Sequence, residues 1–150
     1  ESTVIHKLAV TYELFEPIKA KIANGFPVFG TCAGLIMLAS EIIDGTSDQA
    51  SFGGLDVSVR RNAFGNQLDS FEADLEFVGV EGAVHAAFIR APIVERVGNE
   101  VEVLSQLPDG RVVGVLHAHA GRRRWQPIGR ASWAARPRGG RAPPEPWSGR

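Results

Sequence analysis

A chain of 150 residues, 44% hydrophobic and 22% charged, has the size and composition of a single globular domain with one core. No apolar run approaches the ~20 residues of a membrane span. No signal peptide is visible, and the one cysteine excludes an intrachain disulfide and fits a reducing, cytoplasmic setting. The net charge of −1 hides an asymmetry: residues 121–150 carry eight arginines against one acid, Glu145, and total +7, so residues 1–120 total −8.

The chain opens on Glu1 rather than methionine and leads at once into a helix, which reads as an interior fragment missing its N-terminal part. Ser2 or Thr3 is placed to cap that helix, which runs to about residue 10 with Val4, Ile5 and Leu8 on one face. Pro17 would break a continuous helix, so a second is predicted from near Glu16, with Ile18 and Ile22 inward and a stop at Asn24-Gly25. A short apolar strand over residues 27–30 follows. The next helix, from Ala33, offers Leu35, Ile36, Leu38, Ala39, Ile42 and Ile43 for burial and ends at Asp44-Gly45. Residues 46–54 are small and polar, a loop. Beyond them the pattern changes to strands, predicted at 55–60, 71–77, 84–89, 101–107 and 112–116, the last two joined by a turn at Pro108-Asp109-Gly110. This succession predicts an α/β sheet with helices on both faces.

The stretch that carries chemistry is Gly30-Thr31-Cys32-Ala33-Gly34, between the short strand and the helix. It is a G-x-nucleophile-x-G elbow, a sharp turn that holds its middle residue in a strained conformation with the side chain at the tip. Flanking glycines remove Cβ atoms that would collide there. The free N–H groups at the start of the next helix favour a thiolate and a developing oxyanion. A free cysteine read alone would be a small buried core residue; the elbow context makes Cys32 a candidate nucleophile instead.

From Gly121 the sequence loses all period and consists of Arg, Pro, Gly, Ala, Ser and Trp, including Trp125, Trp133 and Trp147. One reading is a disordered basic tail able to contact anionic surfaces or nucleic acid. The other, favoured here, is a segment never selected to fold, as in out-of-frame translation of GC-rich DNA, because scattered tryptophans among arginines suit neither a core nor a solvating tail. The domain division expected is therefore 1–120, a partial enzyme domain, and 121–150, the tail.

Several stretches together resemble the glutaminase subunit of pyridoxal 5′-phosphate synthase, a class I glutamine amidotransferase. They are Glu1-Ser2-Thr3, the Gly-Thr-Cys-Ala-Gly elbow, Arg61-Asn62-Ala63-Phe64-Gly65, Asp69-Ser70-Phe71-Glu72-Ala73-Asp74 and Phe88-Ile89-Arg90-Ala91-Pro92. The elbow alone would indicate only the wider amidotransferase class; the others, in that order, point to this subfamily, over about residues 1–120. The resemblance implies a flavodoxin-like three-layer α/β fold, here incomplete, that hydrolyses L-glutamine and passes ammonia to a separate synthase subunit. It implies Cys32 as nucleophile. Glu1 and Ser2 match the end of a loop that contacts glutamine, Arg61 a substrate-contacting arginine, and Ile89 and Arg90 a segment whose backbone also contacts substrate. No cofactor or metal is expected, nor a membrane or nucleic-acid partner.

The chemistry is attack of the thiolate on the side-chain amide carbon, a thioester, then hydrolysis to glutamate. Backbone N–H groups of Ala33 and Gly34 would hold the oxyanion, at roughly 3–4 kcal/mol per donor in comparable sites. Both steps need a base, normally a histidine oriented by a carboxylate. In the family that pair sits in Phe-His-Pro-Glu; here the slot reads Trp125-Gln126-Pro127-Ile128, and neither Gln126 nor Ile128 can serve. The Gly-Gly that starts the substrate loop is absent as well. His117 and His119, placed just past the last strand, read as solvated side chains, and His6 and His85 as structural. Asp69, Glu72 and Asp74, with no His or Cys beside them in sequence, read as a solvated or subunit-contact face rather than a metal site. The expectation is a glutaminase by family with little or no activity as written. The alternatives are the glutaminase subunit of another amidotransferase, or a non-catalytic binding protein of the same fold.

Overall fold

Leu55-Asp56-Val57-Ser58-Val59-Arg60 places β-branched residues at alternate positions, and it forms the strand around which the main sheet is built. The computed structural model describes residues 1–45, 49–61 and 70–117. Three helices come first: α1 (Ser2–Thr11), α2 (Phe15–Ala23) and α3 (Ala33–Leu38). Seven strands follow: β1 (Ala39–Ile43), β2 (Leu55–Arg60), β3 (Phe71–Leu75), β4 (Val84–Phe88), β5 (Ile93–Val97), β6 (Val101–Gln106) and β7 (Val112–His117). Five of the strands make one sheet in the order β1-β2-β5-β7-β6; β1 and β2 run parallel and the remaining neighbours antiparallel. Strands β3 and β4 pair separately as an antiparallel ribbon. The architecture is α/β, as the sequence predicts.

The main core lies where α3 covers the sheet. Ile36, Ala39, Val57, Val59, Val94 and Val101 are buried together, and Val57 and Val59 are wholly shielded from solvent. A second cluster, around Leu75 and Leu107, fastens the ribbon to the sheet through Phe77, Ile93 and Val113, while Phe71 and Phe88 stack across the ribbon at 4.8 Å. The β6–β7 hairpin closes on the predicted Pro108-Asp109-Gly110 turn. There Gly110 takes φ 87°, and its N–H donates to the Leu107 carbonyl at 2.9 Å.

Three local expectations are corrected and one strand is added. Residues 27–30 form no strand: no strand of the described residues lies alongside to pair with them, and Phe29 is left 83% exposed. The helix after the elbow stops at Leu38, because Ala39 turns to extended backbone (φ −62°, ψ 145°) and Ala39–Ile43 pairs with β2; Ile42 and Ile43, counted as helical, suit that strand through their branched Cβ. Strand β5 was hidden by Glu95-Arg96. A bulge at Glu95, between the pairs Ser58↔Arg96 and Val59↔Val94, lets both charged side chains reach solvent while Val94 stays in the core. Finally, α1 begins at Ser2 with Glu1 in the capping position, and neither Ser2 nor Thr3 caps it. Its buried residues are Ser2 and Ala9, α1 lies against α3, and Val4, Ile5 and Leu8 are exposed.

Candidate active site

Glycine at position 30 is a steric requirement. A Cβ there would stand 2.6 Å from the Gly34 carbonyl carbon and 2.7 Å from its oxygen, which are backbone atoms that cannot move aside. That close approach folds the chain back so tightly that Cys32 takes φ 48°, ψ −109°, a conformation that side chains other than glycine's rarely adopt. Cys32 is exposed, and α3 begins at the next residue. Gly34 is different: open space surrounds its missing Cβ, so its glycine is not needed to avoid a clash.

Of the two proposed oxyanion donors, the Gly34 N–H donates to the Thr31 carbonyl at 2.7 Å and is engaged in this structure. The Ala33 N–H, at the first position of α3, has no carbonyl one turn back in the helix to bond. Two surface hollows lie elsewhere, one of about 460 Å³ between residues 76–78 and 103–106 and one of about 360 Å³ beside Val10, Glu13, Phe15 and Glu16; Cys32 lines neither.

The other candidate residues fall into two groups. Glu1 is exposed at the head of α1, and Ser2 beside it is buried. Arg61 is half-buried just past β2, and its Nη1 donates to Gln49 Oε1 at 2.6 Å; the same oxygen accepts from the Thr3 hydroxyl at 3.3 Å. The structure thus ties the head of α1 to Arg61 through Gln49, a residue that no sequence motif singles out. Ile89 and Arg90 follow β4 on the ribbon and are exposed, and Arg90 also takes a left-handed φ of 48°. The remainder of the Arg61–Gly65 stretch, His119, and the slot Trp125–Ile128 lie outside the described residues.

Three of the four histidines lie among the described residues. His117 is the last residue of β7, half-buried and paired with Val101, not a solvated side chain beyond the strand. His6 meets the Phe15 ring edge-on at 5.2 Å, a packing role. His85 lies directly across the ribbon from Asp74, so pairing supplies the histidine that sequence neighbours did not. Its Nδ1 is 2.7 Å from Asp74 and its Nε2 3.1 Å from Glu72, and these hydrogen bonds, Asp74 first, raise its pKa above the ordinary histidine value. Glu72 and Asp74 remain exposed, Asp69 lies outside the described residues, and no group among the described residues is placed to hold a metal ion.

An α/β sheet with a cysteine at a strained turn before a helix is what a cysteine-dependent amidotransferase requires, and residues 1–121 match the SNO glutamine amidotransferase family; the chain belongs to that family. It is similar to proteins called pyridoxal 5′-phosphate synthase subunit PdxT. That of a Nocardioides species is 57% identical over 118 residues, covering 79% of this chain and 59% of the relative. That of Leifsonia xyli is 61% identical over 117 residues, covering 77% and 59%. A solved structure described as a glutamine amidotransferase superposes with a TM-score of 0.67 at 48% identity, covering 75% of this chain and 59% of the other. The chain thus spans about 59% of the length of these relatives.

Proposed function

We propose that the chain carries the glutamine-binding and nucleophilic part of a glutaminase that supplies ammonia to a pyridoxal 5′-phosphate synthase subunit in the cytoplasm. The observation that carries this reading is Cys32 held exposed at φ 48°, ψ −109° over the start of α3. The Cys32 sulfur attacks the side-chain amide carbon of L-glutamine; a C–S bond forms and the carbonyl oxygen becomes an oxyanion. The Ala33 N–H is available to that oxygen, and Gly34 joins it once its bond to Thr31 opens. Collapse of the intermediate breaks the C–N bond. The nitrogen takes up the proton given up by the Cys32 thiol, carried through solvent, and leaves as ammonia. Water then hydrolyses the thioester to glutamate and returns a proton to the sulfur. Glu1, Ser2, Arg61 and the backbone at Ile89–Arg90 are the substrate contacts that the resemblance implies.

Proton transfer is where this chain falls short. By the resemblance, Gln126 falls in the slot of the family's histidine, and an amide cannot take a proton from a thiol. Glutamine is therefore bound and Cys32 remains reactive, but turnover is slow. The test is labelling with a chloroketone analogue of L-glutamine, in which the thiolate displaces chloride. A single adduct on Cys32, slowed by added L-glutamine and absent in Cys32→Ser, is expected. Glutamate release with a synthase subunit present should stay close to background. Labelling that neither saturates nor is slowed by L-glutamine would overturn the binding reading; turnover at the rate of an intact relative would overturn the inactive one.

A further inference from the structure

Gln49 belongs to none of the stretches that carry the resemblance, yet its side chain touches three of the elements that build the site. Its Oε1 accepts from Arg61 Nη1 at 2.6 Å and from the Thr3 hydroxyl at 3.3 Å, and its Nε2 lies 4.0 Å from the sulfur of Met37 in α3. The backbone around it is pinned. The Phe52 N–H donates to the Met37 carbonyl at 2.7 Å, and the Phe52 ring rests on Phe15 at 5.2 Å. The orientation of the amide is fixed by its partners, because a guanidinium and a hydroxyl donating to one atom require that atom to be the oxygen.

We propose that Gln49 is a positioning residue for Arg61: its oxygen fixes the plane of the guanidinium and ties it to the head of α1, so that substrate-binding groups from two elements act as one unit. A free arginine side chain samples many rotamers, and holding it in one geometry removes an ordering cost from binding. With Nη1 turned to Gln49, the edge formed by Nε and Nη2 is the one that can grip a carboxylate through two parallel hydrogen bonds. The ligand class is an α-amino acid with a free α-carboxylate. This rests on the glutamine-binding reading above, which supplies the substrate, while the clasp itself is a property of the free protein.

Two measurements on the full chain separate the two. The first is the Nε–Hε resonance of Arg61 in ¹⁵N-labelled protein without ligand, identified through Arg61→Lys. It is expected to be dispersed and protected from exchange, to collapse to a solvent-averaged position in Gln49→Met, and to stay dispersed in Gln49→Glu, which keeps an acceptor oxygen. An unchanged resonance in Gln49→Met overturns the proposal, and Thr3→Val, which removes only the second donor, should perturb it less. The second is chloroketone labelling of Cys32. Gln49→Met should raise the half-saturating concentration about tenfold, the size of one charge-assisted hydrogen bond, without changing the limiting rate. Gln49→Glu should restore it, and alkylation by iodoacetamide, which needs no amino-acid site, should match the parent throughout. An equal fall in both alkylation rates would mean a general loss of structure and would overturn the positioning role. Failure of the parent to saturate would sink the glutamine reading, and the arginine resonance would still decide the clasp.

Discussion

Cys32 is strained, and the strain is affordable only because Gly30 lets the chain pass within contact distance of Gly34. Gly30→Ala is therefore expected to cost ~1–3 kcal/mol, since the added methyl meets backbone and not a movable side chain. Urea unfolding measures this, and chloroketone labelling of Cys32 should slow in parallel. A second prediction concerns His85. Its pKa is raised in the folded ribbon by Asp74 and then Glu72, so its contribution to stability is complete below the unfolded histidine value of about 6.5 and is lost as pH rises through the higher folded value. Titration of the His85 ring by NMR should give a midpoint above that of an unstructured peptide, and Asp74→Asn should move it back down. An unchanged midpoint in that variant would show that the contact does not persist in solution.

At the scale of elements, Val57 in β2 is the clearest test of the core. It is fully buried between α3 and the sheet, and Val57→Ala should destabilise by about 2 kcal/mol, read as a lower urea midpoint at unchanged slope. What the sequence disclosed at this scale follows from how local each signal is. The elbow and the Pro108–Gly110 turn were legible because the residues that force them are adjacent. Strand β2 was legible from its alternating valines. Strand β1 was not, since Ala39, Ile42 and Ile43 satisfy a helical spacing as well as a strand, and only pairing with β2 decides between them. Helix α1 lies where the sequence predicts it, but the face that carries Val4, Ile5 and Leu8 is not the buried one: Ser2 and Ala9 are buried instead. The role of Gln49 could not be read at all: Thr3, Gln49 and Arg61 are far apart in the chain, and a glutamine in a polar loop carries no pattern.

At the scale of the whole molecule, most of the exposed large apolar side chains among the described residues lie in the first thirty, Val78 and Ile89 lying outside them. Val4, Leu8, Val10, Tyr12, Leu14, Phe26, Val28 and Phe29 are all open to solvent, and so is the Cys32 thiol. Surface of that kind drives association, so sedimentation velocity should show self-association that grows with concentration and lessens in Phe29→Ser. The sheet carries a different weakness. Strands β5 and β7 share a single register pair, Val94↔Val112, whereas β2–β5 and β6–β7 are laddered along most of their length. The join is held mainly by the oily contacts of Val94, Val101, Val112 and Val115. Such contacts weaken on cooling, so the molecule has a fault line that should loosen in the cold before it does in moderate warmth. Amide exchange at Val112, compared with Val103 and Val115, should speed up on chilling relative to its neighbours once intrinsic rates are corrected. The two slabs on either side would then part along a plane that no single side chain marks.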